Sequence, residues 1–213
     1  MSVSKFETGI DPLDRELDGG IPASTFFIYQ ADPNSKSELL LEKLATKFPT
    51  VYITTQRSEE FLKNSFDKSN LITDTPTIVD ASAEINLNDH IESSISSAPD
   101  NSLIIIDSID IIEEKSSEEE LRQWLNKLYT QIQHTGSILL FHAYKQSPDS
   151  LTIERKQLLG MADLILELDQ EVDGKEVENF FRISKFRGGG DTSERLKVMM
   201  DGEIEVDTKR AIS

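Results

Sequence analysis

Residues 30–37 of the 213-residue chain read Gln30-Ala31-Asp32-Pro33-Asn34-Ser35-Lys36-Ser37. Lys36 and Ser37 stand as the last two residues of the pattern G-x-x-x-x-G-K-[ST]. In that pattern a backbone cradle binds phosphates, the lysine reaches the β- and γ-phosphates, and the hydroxyl serves magnesium. Gln30 and Ser35 stand where the two glycines belong. Glycine there lets the backbone aim successive N–H groups at a phosphate. Ser35 is therefore expected to be strained and to crowd the loop. Asp32 adds a negative charge that opposes a triphosphate. A second feature is the run Ser102–Asp107, four hydrophobics ending in Asp107 and followed by Ser108. A carboxylate at the end of a buried strand is where a phosphoryl-transfer site holds its magnesium shell. Each pattern also has a plain structural explanation: a turn closed by a serine N-cap, and a strand ending at a turn-favouring aspartate.

Other chemistry is thin. There is no cysteine, so no disulfide, cysteine-based zinc site or thiol nucleophile. His90, His134 and His142 are far apart, and only His142 falls at a strand's carboxyl end. A phosphate sensor there is weighed against an ordinary structural histidine. Tyr144 and Lys145 follow the same strand end and are placed to line a cleft. Ser108 lacks the glycines of a nucleophile elbow.

The elements that must position these residues alternate. Phe26–Gln30, Thr50–Thr54, Thr75–Ala81, Ser102–Asp107, Ser137–Ala143 and Asp163–Leu168 read as strands, being short, apolar and β-branched or aromatic. Between them Ser37–Phe48, a segment from Ser58, Asn88–Ala98, Ser117–His134 and Leu151–Met161 read as helices. In Ser117–His134, Leu121, Trp124, Leu125, Leu128 and Ile132 make the apolar stripe, and Gly136 lies just past the end. The last quarter changes: 178–186, 194–200 and 203–206 alternate around Gly-rich turns and predict antiparallel strands. The order predicts an α/β fold: a mostly parallel sheet, helices on both faces, and an antiparallel extension. No linker or repeat divides residues 1–213, so one domain is expected. Ligands of such sheets sit beyond the carboxyl ends of the strands.

One resemblance covers nearly the whole chain. Thr8-Gly9-Ile10-Asp11-Pro12-Leu13-Asp14, then Leu17-Asp18-Gly19-Gly20-Ile21-Pro22, resembles the opening signature of KaiC-like proteins of the RecA superfamily. Asp107-Ser108, Met161-Ala162-Asp163 and Ser184-Lys185-Phe186-Arg187-Gly188 are similar to further elements of that family. The resemblance implies a RecA-like P-loop ATPase fold using ATP and magnesium. Residues 31–37 (Ala31, Asp32, Pro33, Asn34, Ser35, Lys36, Ser37) would cradle phosphates, and Ser37 and Asp107 would hold magnesium. Lys185 and Arg187 would act in trans on a neighbouring subunit's γ-phosphate, within a homo-oligomer. The departures are the lost loop glycines and the segment Thr54-Thr55-Gln56-Arg57-Ser58. The family carries a carboxylate there to activate water. Gln56 can orient a water but not take its proton, and Arg57 is a cation.

The chain has 39 acidic against 22 basic residues, a formal charge of -17. Such a surface repels nucleic acid and anionic lipid, and it also suits a very salty cytoplasm. Direct DNA binding, as in a recombinase relative, is disfavoured by this charge. No apolar run approaches the ~20 residues of a membrane span, and no signal-peptide pattern opens the chain, so a cytoplasmic protein is expected. The functional expectation is a degenerate ATPase with weak or no turnover, regulatory or scaffolding, acting through a protein partner. The alternative is an active magnesium-dependent ATPase working as a homo-oligomer.

Overall fold

The computed structural model describes residues 4–68, 76–173, 176–189, 195–202 and 204–206. In chain order the elements are β1 (Lys5–Phe6), α1 (Asp11–Glu16), β2 (Ile21–Pro22), β3 (Phe26–Ala31), α2 (Glu38–Ala45), β4 (Thr50–Thr54), α3 (Glu59–Lys68), β5 (Thr77–Asp80), α4 (Leu87–Ser96), β6 (Leu103–Asp107), α5 (Asp110–Lys115), α6 (Glu118–Thr135), β7 (Ile138–Tyr144), α7 (Ile153–Met161), β8 (Leu164–Asp173), β9 (Glu176–Phe186), β10 (Arg195–Met200) and β11 (Ile204–Val206). Thr75, Glu194 and Glu203 of the expected strands, and most of the Gly-rich turn before β10, lie outside the described residues.

Among the described residues one sheet of nine strands runs β11-β10-β9-β8-β3-β7-β6-β4-β5. The six strands from β8 to β5 are parallel. β9, β10 and β11 extend it antiparallel, as the sequence predicts. The parallel strands are buried on both faces, so they read as continuous apolar runs rather than alternating ones. Their side chains still divide by a period of two. Phe27, Tyr29, Tyr52, Ile105 and Leu140 face one core, with Leu13 of α1, Leu40 and Leu41 of α2, and Leu62 and Phe66 of α3. Phe26, Ile28, Ile53, Ile106 and Phe141 face the other, under α4, α5, α6 and α7. Each fully buried Leu, Ile or Phe contributes about 1.5–3 kcal/mol, so the two layers hold the strand ends in fixed register.

Local chemistry explains the element ends. Ser117 accepts from the Glu120 N–H and Glu120 reaches back to the Ser117 N–H, a capping box that starts α6. Gly136 ends α6 at φ 68, and a Cβ there would lie 2.8 Å from Asn101 Oδ1, so the left-handed position favours glycine. α2 stops at Ala45 rather than at the expected Phe48; Pro49 keeps Phe48 itself out of the helix. α5 was not expected, because six residues carry too little periodicity to read.

The opening signature builds a structural cap. Asp14 accepts from Thr8 N at 2.7 Å, Thr8 Oγ1 at 2.8 Å and Gly9 N at 3.1 Å. Gly20, at φ 118, lets β2 approach β1 so closely that a Cβ would sit 2.5 Å from Phe6 O. These residues pack Ile10, Leu13, Leu17 and Ile21 onto the core beside α2.

Candidate functional site

β3, β7, β6 and β4 lie side by side and end together, so the residues after them meet at one edge of the sheet. The loop from Asp32 to Ser37 connects β3 to α2. Ser35 turns inward: its N–H donates to Asp32 O at 2.9 Å and its hydroxyl to the same oxygen at 2.6 Å. Among the described residues the non-glycine positive φ values are at Asp18, Ser24 and Asn101. No residue of the loop is left-handed, so the strain expected of Ser35 is absent. An anion-binding nest alternates right- and left-handed residues, and this loop is instead a compact turn. Lys36 is exposed and donates to Met200 O at 2.9 Å, at the end of β10. Ser37 is buried and makes no side-chain cap hydrogen bond.

Asp107 ends β6 and is only 6% exposed. His142 Nδ1 lies 2.7 Å from its Oδ1, and Tyr52 Oη donates to its Oδ2 at 2.8 Å. Burial pushes the Asp107 carboxyl up, but His142 and then Tyr52 and the Arg57 charge outweigh it and hold the group below its ordinary range. Burial, then the Asp107 charge, pushes the Tyr52 hydroxyl well above its usual value, so it stays a donor. The arrangement follows from register: Asp107 pairs with His142 across β6 and β7, and Tyr29 pairs with His142 across β3 and β7. Tyr29 and His142 rings are 5.6 Å apart, and both Tyr29 Oη and His142 Nε2 are buried without a protein hydrogen-bond partner.

Gln56 follows β4 and stands at this edge. Its Nε2 donates to Ser108 Oγ at 2.8 Å and its Oε1 accepts from Tyr144 Oη at 3.4 Å. Thr55 and Ser108 exchange two hydrogen bonds of 2.9 Å through Thr55 Oγ1. The Asp107–Ser108 peptide is cis. Arg57 stacks on the Phe61 ring, 5.5 Å from its centroid. Lys145 does not line the cleft freely; it pairs with Asp169 and, at 3.7 Å, with Glu167.

Lys185 and Arg187 lie elsewhere. Lys185 pairs in register with Ile165 near the start of β8, while the loop follows Ala31, which pairs with Leu168. They are thus at the opposite end of the sheet from their own chain's loop. Lys185 Nζ donates to Leu159 O at 3.0 Å and Gly160 O at 2.9 Å, closing α7. Burial and the neighbouring Arg187 charge lower its pKa. Arg187 pairs with Asp163 at 3.4 Å.

Two groups escaped the sequence reading. Tyr52 was legible in principle, since strand alternation puts it on the face of Asp107. Arg155 was not: it is a buried arginine in a short mixed helix, bound to Glu113 at 2.7 Å and Asp110 at 2.9 Å. Its Nη1 also donates to Tyr144 O at 2.6 Å, while Asp110 accepts from Tyr144 N at 3.2 Å. The cluster thereby clamps the backbone that leaves β7.

Magnesium takes oxygen ligands, and each Asp107 oxygen carries one protein hydrogen bond, from His142 or Tyr52, that fixes the carboxylate and leaves a further lone pair on each oxygen. Among the described residues no cluster of three or more His, Asp or Glu side chains could hold a metal. The 32–37 turn, with no left-handed residue, does not form the alternating nest that cradles a triphosphate. No helix of the described residues is long and apolar enough to cross a membrane.

Solved structures share the fold. The chain superposes on a KaiC-like protein, PH0186, of Pyrococcus horikoshii OT3 with a TM-score of 0.74 at 17% identity, covering 97% of this chain and 100% of that one. It superposes on the flagellar accessory protein FlaH of Methanocaldococcus jannaschii with a TM-score of 0.72 at 16% identity, covering 97% and 99%. No curated protein matches the sequence. The fold is therefore RecA-like and KaiC-like, with the antiparallel extension formed by β9, β10 and β11. By its match over residues 5–213, the chain belongs to the family of unknown function DUF7125.

Proposed function

We propose that the chain is a single-domain P-loop-fold protein whose strand-end site serves binding and regulation rather than magnesium-dependent turnover. It acts as a regulatory or scaffold component through a protein partner. The observation that carries this reading is the commitment of both Asp107 oxygens to His142 and Tyr52. The left-handed-free turn at 32–37 and the absence of a carboxylate at Gln56-Arg57 support it. Hydrolysis needs a base for the attacking water, and Gln56 supplies only orientation. The test is ATP turnover with magnesium, at low and molar salt, for the wild type and Lys36→Ala. The expected result is no turnover above the Lys36→Ala background. Turnover lost in that variant overturns the reading.

One observation favours an active homo-oligomeric ATPase instead. Lys185 and Arg187 lie away from their own loop, so a part played by them at a phosphate site would be played at a neighbouring copy's. Mixed oligomers of Lys36→Ala and Arg187→Ala chains decide this: activity in the mixture, absent from each alone, supports the intersubunit ATPase.

A further inference from the structure

We propose that the end of β10 and the edge strand β11 form a hinged flap, and that Lys36 is the latch that holds it to the 32–37 turn. The inference rests on the reading that the strand-end site binds and regulates, and it adds how the state of that turn reaches a second surface.

The register isolates the flap. Among the described residues β10 pairs with β9 from Arg195↔Arg182 to Val198↔Asn179, whereas β8 and β9 stay paired out to Asp173↔Glu176. Past Val198 the two sides part. Met199 and Met200 then have β11 as their strand partner, through Met199↔Glu205 and Met200↔Ile204. A groove of about 660 Å³ opens in the fork. Val177 and Asn179 line one side of it, Met199 and Met200 the other, and Asn34 and Lys36 the end at the turn. A two-stranded ribbon is marginal in water by itself, so the flap depends on what it rests against. Met200 and Ile204 are buried and join the core that also holds Leu40 and Leu41 of α2. A three-residue edge strand offers few such contacts.

Lys36 supplies the other hold. Its Nζ donates to Met200 O at 2.9 Å. The bond meets the last residue of β10, where the support of β9 has ended. On its own side Lys36 stands on a fixed turn, closed by the two Ser35 hydrogen bonds to Asp32 O and continuing at once into α2. An ammonium donor makes a stronger hydrogen bond than a neutral one. Lys36 is also exposed, so water competes for the ammonium and the hold is reversible. While latched, the flap walls the groove. Released, it widens the groove and bares the backbone of β10, a strand edge of the kind that takes an extended segment of a partner protein. Loss of one bond at the turn thereby opens a surface at the far edge of the sheet.

The experiment is residue-resolved amide hydrogen exchange of the full chain, for the wild type, Lys36→Met and Lys36→Arg. Methionine keeps an unbranched stem and removes the ammonium; arginine keeps a cationic donor. In Lys36→Met, amides of 199–200 and 204–206 are expected to exchange about five-fold faster or more. Lys36→Arg is expected to stay near the wild type. Amides of β3, β6 and β7 are expected to be unchanged, because a local opening exposes only its own amides. Peroxide gives a second readout. Buried Met200 is expected to oxidise faster in Lys36→Met, with Met199, 49% exposed, as the internal reference. The inference is overturned if the flap amides and Met200 are unaffected, or if β3, β6 and β7 quicken equally, which makes Lys36 a support of the whole fold. Those results leave the non-hydrolytic reading standing. Magnesium-dependent ATP turnover that is lost in Lys36→Ala overturns that reading and leaves the latch to the exchange rates.

Discussion

His142 Nδ1 sits 2.7 Å from Asp107 Oδ1 at the carboxyl ends of two adjacent parallel strands. With Tyr52 on the other oxygen, the aspartate that ends the most apolar strand is a structural anion. This sets the sign of a substitution. Asp107→Asn leaves one of the two donors facing an amide N–H, a mismatch costing about 1–3 kcal/mol. A carboxylate kept free for metal behaves oppositely, since its removal relieves an unpaired buried charge. Urea unfolding of the wild type and Asp107→Asn, without ligand, distinguishes the two: loss of stability is expected, and a gain contradicts the buried lock.

The same contacts give a pH dependence. Burial raises the Asp107 carboxyl, His142 and Tyr52 overcome that, and the folded pKa ends below the ordinary value. A group lowered on folding contributes stability above its unfolded pKa, ~3.9 for aspartate. That contribution is lost as pH falls through the lower, folded value. The stability difference between wild type and Asp107→Asn is therefore expected to be constant near neutrality and to shrink below about pH 4. A difference that grows on acidification sinks the assignment.

Arg155 is wholly buried against Glu113 and Asp110. Arg155→Met strands the Glu113 carboxyl, which burial already pushes above its usual pKa against the pull of Arg155. Breaking a buried pair from one side costs about 3–5 kcal/mol, whereas replacing both partners with apolar groups is often near neutral. Arg155→Met is expected to show the large loss, and Arg155→Met with Glu113→Leu to recover more than half of it. Equal losses in the single and double variants mean that the pair does not carry the energy.

Lys185 binds two carbonyls at the end of α7. A cation there also meets the negative end of the helix dipole. Lys185→Met is expected to cost about 1–2 kcal/mol, seen as a lower melting midpoint even at high dilution. A purely intersubunit role leaves the dilute chain unchanged, so the concentration series separates the two.

The layered α/β fold was legible because the six parallel strands are buried on both faces and their helices carry clean stripes. Leu121, Trp124, Leu125, Leu128 and Ile132 are all buried, as their spacing predicts. The site was legible only as positions. Gln56, Asp107 and His142 fall at strand ends by simple counting, and the sheet order brings them together. What they do there depends on cross-strand neighbours, which no local pattern encodes. Tyr52 reads as a core strand residue, and its hydroxyl matters because β4 lies beside β6. Arg155 reads as a surface helix charge, and its burial against Asp110, Glu113 and the Tyr144 carbonyl comes from tertiary packing. The loop misled in one respect: Ser35 in a glycine place predicts strain, but the chain relaxes into a turn that asks nothing left-handed of it.

The net charge sets a salt dependence of stability. A charge of -17 on this chain repels itself, and folding concentrates that charge. Against this stand surface ion pairs, Arg182 with Glu167, Arg195 with Glu171 and Lys197 with Glu178, each contributing about 0–1 kcal/mol. Salt screens both, but the pairs are in contact and the excess acids are spread over the surface. Screening over ~10 Å at 0.1 M and ~3 Å at 1 M therefore removes the repulsion before it removes the pairs. The melting midpoint is expected to rise steadily from low to molar potassium chloride. Chloride is the salt to use, because sulfate strengthens burial in any protein by exclusion from its surface. A midpoint that falls with chloride means that the ion pairs outweigh the net charge.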